Sequence, residues 1–207
     1  MRNRIFLLLL PLSTLFLLSA CLPGIPPEKA PPIHYYTLDY EPRLPNRETL
    51  PHVLDIRAFA QGPHCNTDKM VYSQEENSRE EYHYHRWRSS PADLATYFLR
   101  RDLRQGKIFT AVTGPSFGQS CTHRLEGIVE EFYQMDKNGS SYAVAQINVT
   151  LLKCNERDIS DRVVMQKMYR IRKKMPGKNP GGLAKAMSEV MAQFSRQLAG
   201  DMYRVLE

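Results

Sequence analysis

The residue with the clearest chemical role in this sequence is Cys21, which ends the run Leu-Ser-Ala-Cys at positions 18–21. Arg2 and Arg4 give the N-terminus a basic start, and an apolar stretch separates them from this run. A basic start, an apolar segment and small residues before a cleavage point are typical of a bacterial export signal. Leu-Ser-Ala-Cys also fits the bacterial lipobox, in which a lipid is attached to the cysteine thiol and the chain is cut just before it. The sequence therefore predicts a lipoprotein signal peptide at 1–20 and lipid attachment at Cys21.

An uncleaved membrane-spanning helix is the alternative for this N-terminal segment. Pro11 interrupts the apolar stretch, whereas a span needs about 18–20 predominantly apolar residues, so we favour cleavage. Bacterial lipoproteins carry two or three acyl chains such as palmitate, and two chains already anchor a protein stably to a bilayer. Leu22 follows the cysteine instead of an aspartate. Under the enterobacterial sorting rule this favours the outer membrane, with the folded part facing the periplasm.

The remaining composition suits one folded domain behind a short tether. Residues 21–34 contain five prolines in fourteen positions, which excludes a helix or a central strand. They predict a semi-extended tether of at most roughly 3.1 Å per residue. The domain expected at 35–207 has no second apolar run long enough to span a bilayer. Without Arg2 and Arg4, 26 basic residues face 22 acidic ones, a net charge of +4, which is too low to indicate a nucleic-acid partner.

The order of β-prone and helical patterns predicts an α+β fold. Runs rich in β-branched and aromatic residues predict strands on both sides of an amphipathic helix, which starts at Pro91 with Ser90 as its N-cap and ends near Gln105. A second amphipathic helix is predicted over 183–206, where apolar residues recur every three or four positions. Two such helices need one apolar sheet face to cover. We therefore expect a two-layer sandwich in which two helices cover a mostly antiparallel sheet.

The clearest strand pair is a hairpin over 124–153. Its second arm alternates apolar and polar residues, which is typical of a strand with one buried face. A three-residue loop at the turn places Leu125 opposite Leu151 and Tyr133 opposite Ala143. A slip of one residue would expose a whole apolar face to solvent, so we favour this register.

Three cysteines remain once Cys21 carries a lipid: Cys65, Cys121 and Cys154. The periplasm is oxidising, so a disulfide is plausible, and an odd number leaves one thiol over. Cys121 and Cys154 flank the hairpin, but in the favoured register Cys121 faces Asn155, which puts the two cysteines on opposite faces. Cys65 with Cys121 is the alternative, because both lie in loops that enter strands.

No set of residues in the sequence has the pattern of a catalytic or metal site. His64, Cys65, His83 and His85 invite a metal hypothesis, but no carboxylate or second Cys/His pair stands at a ligand spacing. Motifs for an activated serine, a zinc protease helix and a phosphate-binding glycine loop are absent from the sequence. We therefore expect a protein that is not an enzyme and that uses neither a metal nor a cofactor.

A basic stretch between 162 and 178 contains the consecutive cations Arg172, Lys173 and Lys174. One interpretation is a solvated strand edge, because lysine-rich edges deter aggregation. The other is contact with anionic lipid headgroups or with an acidic partner protein. We keep these three residues as the candidate contact site.

A series of short motifs follows the lipobox: Tyr36-Thr37-Leu38, Leu54-Asp55-Ile56, Met70-Val71-Tyr72, Tyr82, His85-Arg86-Trp87, and a Pro91-led helix that reaches Leu103 and Phe109. Over 35–207, and most clearly from Met70 to Val112, this series resembles the ABC-type transport auxiliary lipoproteins, the PqiC-like group. The resemblance implies a fold like that of the N-terminal domain of TolB.

The resemblance also implies a role. It indicates an outer-membrane lipoprotein that works beside an MCE-domain protein and an inner-membrane ABC transporter, which together move lipids or other hydrophobic cargo between the membranes. The implied task is docking of the periplasmic end of the MCE assembly, and homo-oligomeric rings are implied as well. The alternative is a structural or regulatory envelope lipoprotein that binds peptidoglycan or a cell-wall synthase.

Replacing Cys21 tests the predicted anchor directly. We expect Cys21→Ala to abolish incorporation of labelled palmitate and cleavage before residue 21, because both depend on the thiol at this position. Metabolic labelling and mass spectrometry of the N-terminus measure the two effects. Cys65→Ala is the matched control and should be labelled and cleaved as the natural chain is. Palmitate labelling of the Cys21→Ala chain at the natural level would contradict the prediction.

Overall fold

The computed structural model describes residues 29–75, 77–114 and 120–207. Its strands and helices, in chain order, are β1 (His34–Tyr36), β2 (Leu50–Ile56), β3 (Ala60–Gln61), β4 (Lys69–Ser73), β5 (Glu80–Trp87), α1 (Pro91–Gln105), β6 (Phe109–Thr113), β7 (His123–Lys137), β8 (Ser140–Lys153), α2 (Ile159–Arg162), β9 (Val163–Lys174) and α3 (Pro180–Leu206). Ile33–Glu207 forms one structural unit. The predicted signal peptide at 1–20 and the lipid site at Cys21 lie outside the described residues, as does most of the predicted tether.

The strands form a mixed sheet organised around β7. β7 pairs antiparallel with β8 on one edge and parallel with β2, β3 and β4 on the other. The β1–β5 and β2–β6 pairs are also parallel, whereas β4–β5 and β8–β9 are antiparallel. The prediction of a mostly antiparallel sheet is therefore not confirmed. Parallel neighbours need long crossover connections, so their pairing leaves no local pattern in the sequence, unlike a tight hairpin.

The two long helices begin at the capping residues that the local sequence offers. Ser90 accepts a hydrogen bond from the backbone N–H of Asp93 at 3.2 Å, and Pro91 occupies the first helical position of α1. This start and the end at Gln105 confirm the predicted helix. Asn179 caps α3 in the same way by accepting from Gly182 N–H at 2.8 Å. α3 therefore starts three residues before the predicted 183.

Helix α1 packs against β6 and β7, helix α3 packs against β8 and β9, and the two helices contact each other. The core lies between these helices and the strands β7, β8 and β9. Side chains that are at most 1% exposed contribute to it from both sides: Leu125, Val129, Ile147 and Leu151 from the sheet, Leu99 and Leu103 from α1, and Met187, Met191, Phe194, Leu198 and Met202 from α3. The predicted apolar stripe of the last helix is confirmed as core from Leu183 to Met202, whereas Val205, which belongs to the same stripe, is 46% exposed.

The β7–β8 hairpin has the predicted register only in the half that is far from its turn. Leu125 pairs with Leu151 as expected, but Tyr133 pairs with Val144 instead of Ala143. Glu130 is an extra residue in β7, a β-bulge that shifts the pairing by one. The turn is accordingly two residues long, and Asn138 and Gly139 both have positive φ angles, 53° and 70°, as a type I′ turn requires.

Cys121 and Cys154 form a disulfide, with 5.9 Å between their Cα atoms. The register argument against this pair is wrong because strand pairing ends at His123 and Lys153, so side-chain alternation does not extend to the cysteines. Cys154 N–H still donates to the carbonyl of Thr122 at 2.9 Å, which holds the two chain ends together. The alternative pair with Cys65 is also wrong. That thiol is free and buried, and burial raises its pKa to about 12.

A buried carboxylate fastens α3 to β9. Asp201 of α3 accepts hydrogen bonds from Lys167 and Tyr169 of β9, both at 2.6 Å, and pairs with Arg204. Burial alone would raise the pKa of Asp201. The hydrogen bonds from Lys167 and Tyr169, with the charges of Lys167 and Arg204, instead hold that pKa below its ordinary value. Burial and the neighbouring carboxylate also raise the pKa of Tyr169, so this hydroxyl stays protonated as a donor.

The disulfide should both protect two thiols and stabilise the fold. Alkylation under denaturing, non-reducing conditions should label Cys65 but neither Cys121 nor Cys154, and prior reduction should expose all three. The double variant Cys121→Ser/Cys154→Ser should lose about 3 kcal/mol of unfolding free energy in urea, because the bridge closes a loop across 33 residues. Labelling of all three cysteines without reduction would contradict the assignment.

The Asp201 cluster should make stability depend on pH in the acid range. The pKa of Asp201 is lower in the folded chain than in the unfolded chain. The stabilisation that ionised Asp201 provides is therefore fully present above the unfolded-state pKa of about 3.9, and it is lost as the pH falls through the folded-state pKa. We expect Asp201→Asn to cost about 2 kcal/mol at pH 7, since charged hydrogen bonds are removed. Urea unfolding from pH 7 to 3 should show this deficit shrinking below pH 4.

The exposed carboxylate Glu189 on the same helix provides the matched control. Glu189→Gln should leave the unfolding free energy within about 0.5 kcal/mol of the natural chain at pH 7, as is usual for surface substitutions. If the loss of unfolding free energy in Asp201→Asn grows as the pH falls, the folded-state pKa of Asp201 is raised and not lowered, and the prediction is wrong.

Candidate docking surface

The basic residues singled out in the sequence, Arg172, Lys173 and Lys174, are the last three residues of β9. β9 pairs with β8 alone, so its outer edge has no strand beside it within the described part of the chain. Arg172 and Lys174 are exposed, and Lys173 is half-buried. The three charges therefore lie at one end of an open sheet edge.

These three side chains do not form a single patch, because successive residues of a strand point to opposite faces. Arg172 lies on the face away from the helices, with its guanidinium carbon 4.7 Å from the ring centroid of Tyr142. Lys174 follows Arg172 by two residues and so shares that face. Lys173 lies on the helix side, where it lines a cavity of about 450 Å³ with the basic residues Arg43 and Arg196 and the acidic residues Glu41 and Glu189.

A larger cavity of about 580 Å³ lies between β9 and the second half of α3. Five basic residues line it: Arg47, Lys167, Arg170, Arg196 and Arg204. Asp201 is the acidic residue among its described lining residues, and it is already engaged by Lys167 and Arg204. The cavity therefore carries a net positive charge and favours an anionic ligand or side chain.

Several of these cations have no acidic partner. Arg172, Lys173, Lys174 and Arg196 form no ion pair with any carboxylate in the residues that the structure describes. Arg170, by contrast, pairs with Glu131 at 3.2 Å. Charge at the end of β9 is thus left available for an outside partner.

Sequence reasoning missed the part of this surface that α3 and the loop before β2 supply. Arg196 and Arg204 are eight residues apart and so lie on one side of a helix, which is a visible signal. Arg47 belongs to a proline-rich loop and lies over the ring of Tyr203 at 4.6 Å. Only the packing of α3 on β9 brings these residues beside Lys167, and no local pattern encodes that packing.

The opposite face of the sheet holds a third cavity, of about 540 Å³, near the hairpin turn. Its charges are mixed and paired. Glu131 contacts Arg170 at 3.2 Å and Asp136 contacts Lys178 at 3.0 Å, while the guanidinium of Arg79 lies 4.0 Å from the ring centroid of Tyr133. Because these opposite charges are paired, the cavity favours neither an anionic nor a cationic ligand. We therefore place the candidate site at β9.

The residues weighed as metal ligands do not form a metal site. Within residues 29–75, 77–114 and 120–207, no group of three or more His, Cys, Asp or Glu side chains could hold a metal ion. His85 instead stacks on His34, with 5.3 Å between ring centroids, and shares a hydrogen bond with Tyr36 at 3.1 Å. Burial, with the charge of His34, lowers the pKa of His85.

No described helix combines the length and the apolar character that crossing a bilayer requires.

Comparisons with solved structures show a shared fold. A DUF330 protein from Xanthomonas campestris superposes with a TM-score of 0.70 at 16% identity, over 84% of this chain and 95% of its own. A second, uncharacterized protein gives 0.59 at 15% identity, over 86% and 100% of the two chains. A hypothetical protein from Chlamydia trachomatis gives 0.50 at 6% identity, over 75% and 98%. The comparison with curated proteins found no match.

The sequence comparison gives the family. The family model for the ABC-type transport auxiliary lipoprotein component matches residues 36–199, which include the strands from β2 to β9 and most of α3. The match confirms the resemblance that the short motifs from Tyr36 to Phe109 indicated. The chain therefore belongs to the ABC-type transport auxiliary lipoprotein family.

Proposed function

We propose that this protein is the outer-membrane docking subunit of an ABC transport system that moves lipids, with an MCE-domain protein as its periplasmic partner. The family supplies the coarse assignment, an auxiliary component of ABC-type transport. The observation that carries docking is the open, basic edge of β9. It offers main-chain groups, and cations that form no ion pair with a described carboxylate, at one place on the surface.

The sequence of the N-terminus supports the position at the outer membrane. Lipid on Cys21 anchors the chain, the proline-rich segment 21–34 tethers the folded part, and Leu22 favours sorting to the outer membrane. A protein held at that membrane by lipid is placed to receive a partner that reaches across the periplasm from the inner membrane. Receiving such a partner requires binding and no catalysis. The family description, an auxiliary component of ABC-type transport, agrees with this role.

The surface chemistry supports a protein partner over bulk cargo. Half of the residues that line the cavity between β9 and α3 are cations, and the cavity opens to solvent beside the strand edge, whereas lipid tails need a continuous apolar surface. Most large apolar side chains of α3 are committed to the core, and Val205 near its end is the exposed one among them. We therefore assign this surface to the transport machinery. Self-association into rings is a further part of the proposal, and sedimentation of the purified protein measures it.

Crosslinking in cells tests the proposal. A photoreactive amino acid at position 172 should capture an MCE-domain protein, because this position lies at the exposed end of β9. The same amino acid at position 157, which is exposed in the loop after β8, is the matched control. Mass spectrometry identifies the products. Recovery of cell-wall synthases or peptidoglycan fragments alone would refute the transport assignment and favour the envelope-regulator alternative.

Charge reversal tests whether the basic edge is responsible. Arg172→Glu/Lys173→Glu/Lys174→Glu should reduce co-purification of the partner at least tenfold. Lys153→Glu/Arg157→Glu/Lys185→Glu changes the net charge by the same amount on other exposed positions and should leave co-purification within twofold. Equal co-purification with both variants would show that β9 is not the docking site. Circular dichroism and thermal unfolding confirm that both variants are folded.

A further inference from the structure

We propose that β9 receives its partner by strand addition, and that the added segment is extended and acidic at the end that lies beside Arg170–Lys174. This inference rests on the proposed docking function and names the chemistry of the partner. In strand addition, main-chain hydrogen bonds to an open sheet edge supply affinity, and alternating side chains supply specificity.

The outer edge of β9 has the length and the freedom for this mode. The strand has 12 residues, about 40 Å at the usual rise of roughly 3.3 Å per residue. Within the described residues its main chain pairs with β8 and with no strand on the other side. A partner strand of six to eight residues, the usual length of a strand, fits along part of it.

The charges of β9 are placed for an acidic strand and not for a flat membrane. Arg172 and Lys174 lie on the face away from the helices, and Arg170 is already paired with Glu131. Lys173 lies on the helix side, in a cavity that holds Arg43 and Arg196 as well as Glu41 and Glu189. An added strand sends its own side chains alternately to these two faces, so both series meet cations. A bilayer surface reaches one face at a time and would leave the other set of charges unused.

The same charges disfavour pairing between two copies of this edge. Two β9 strands side by side bring their Lys and Arg residues into proximity, and like charges directly across a strand pair are destabilising. The basic edge of β9 thus disfavours pairing with a second copy of itself and favours pairing with an acidic strand. This is selection by repulsion as well as by attraction.

The other end of β9 specifies the rest of the segment. Val163 and Met168 are 48% and 58% exposed, and no charged residue is present between 163 and 166. The segment should therefore be acidic where it lies beside Arg170–Lys174 and apolar or β-branched where it lies beside Val163–Met168. A uniformly acidic peptide would leave these apolar side chains uncovered.

Probe peptides measured against the full lipidated chain in detergent test the inference. The first probe is a fluorescent ten-residue peptide with glutamates in one half and alternating threonine and valine in the other, made in both sequence directions. Two analogues carry N-methyl groups on either the odd or the even residues, which keeps the charge but removes the N–H donors of one strand edge. Fluorescence anisotropy measures the dissociation constants.

Strand addition predicts an asymmetric result. For the direction that binds, one N-methylated analogue should lose at least tenfold in affinity, while the other binds within threefold of the parent. Arg172→Gln/Lys174→Gln should weaken the parent probe at least fivefold, and Lys153→Gln/Arg157→Gln should not. Hydrogen exchange should show slowed exchange of β9 amide protons when the probe is bound.

Other outcomes would overturn the inference. Equal binding of both N-methylated analogues would mean attraction by charge alone. Binding to phosphatidylglycerol vesicles through Arg172 and Lys174, without binding of any probe, would identify a lipid surface as the ligand. Self-association that Arg172→Gln/Lys174→Gln abolishes, again without probe binding, would identify a second copy.

The result also separates this inference from the proposed function. If position 172 crosslinks to an MCE-domain protein but no probe binds, docking stands and strand addition is wrong. If the probe binds asymmetrically but crosslinking captures no MCE-domain protein, the strand-addition site stands and the assigned partner is wrong.

Discussion

The folded part of this protein depends on how the two hydrogen-bonding edges of β7 are shared. One edge is taken by β8 along the whole hairpin. The other is divided among three short strands, with β2 near Leu125, β3 near Val129 and β4 near Gln134. Each stretch of a strand edge can pair with one neighbour only. Strands β5, β1 and β6 therefore pair with β4, β5 and β2 instead of β7, and they lie further from β7 in the sheet. The same division leaves β9 as the last strand beyond β8.

An open edge at that position is a liability that the surrounding contacts manage. Exposed edges recruit other strands, and natural proteins restrain them with charges. Here the charges are held in place: the ring of Tyr142 lies beneath Arg172, and Asp201 binds Lys167 from α3. The helix that covers the core thus also fixes the strand at the edge. Stability of the fold and the proposed recognition of a partner therefore involve the same contact between α3 and β9.

Local features of this fold could be predicted from the sequence, and long-range ones could not. The capped helix from Pro91, the apolar stripe of α3 and the far half of the hairpin register each follow from residues close together in the chain. The bulge at Glu130 could not be predicted from adjacent residues, because its carboxylate accepts hydrogen bonds at 2.7 Å from Gln146 and Asn148, which lie on the other strand of the hairpin. Parallel pairing, and the arginines that α3 brings to β9, likewise depend on packing between distant segments.

For a chain that is exported, as the N-terminal sequence predicts, the position of Cys65 makes the order in which the cysteines appear important for folding. Its turn is fixed to β7 by the N–H of Gly62, which donates to the carbonyl of Val129 at 2.8 Å, and the thiol is buried in the resulting core. Synthesis delivers Cys65 first, then Cys121, and only afterwards the β7 residues that enclose it. During that interval the earlier thiol can capture Cys121 and block the native bridge. The yield of correctly folded exported protein should therefore depend on thiol–disulfide isomerisation, although the described residues contain a single bridge, between Cys121 and Cys154.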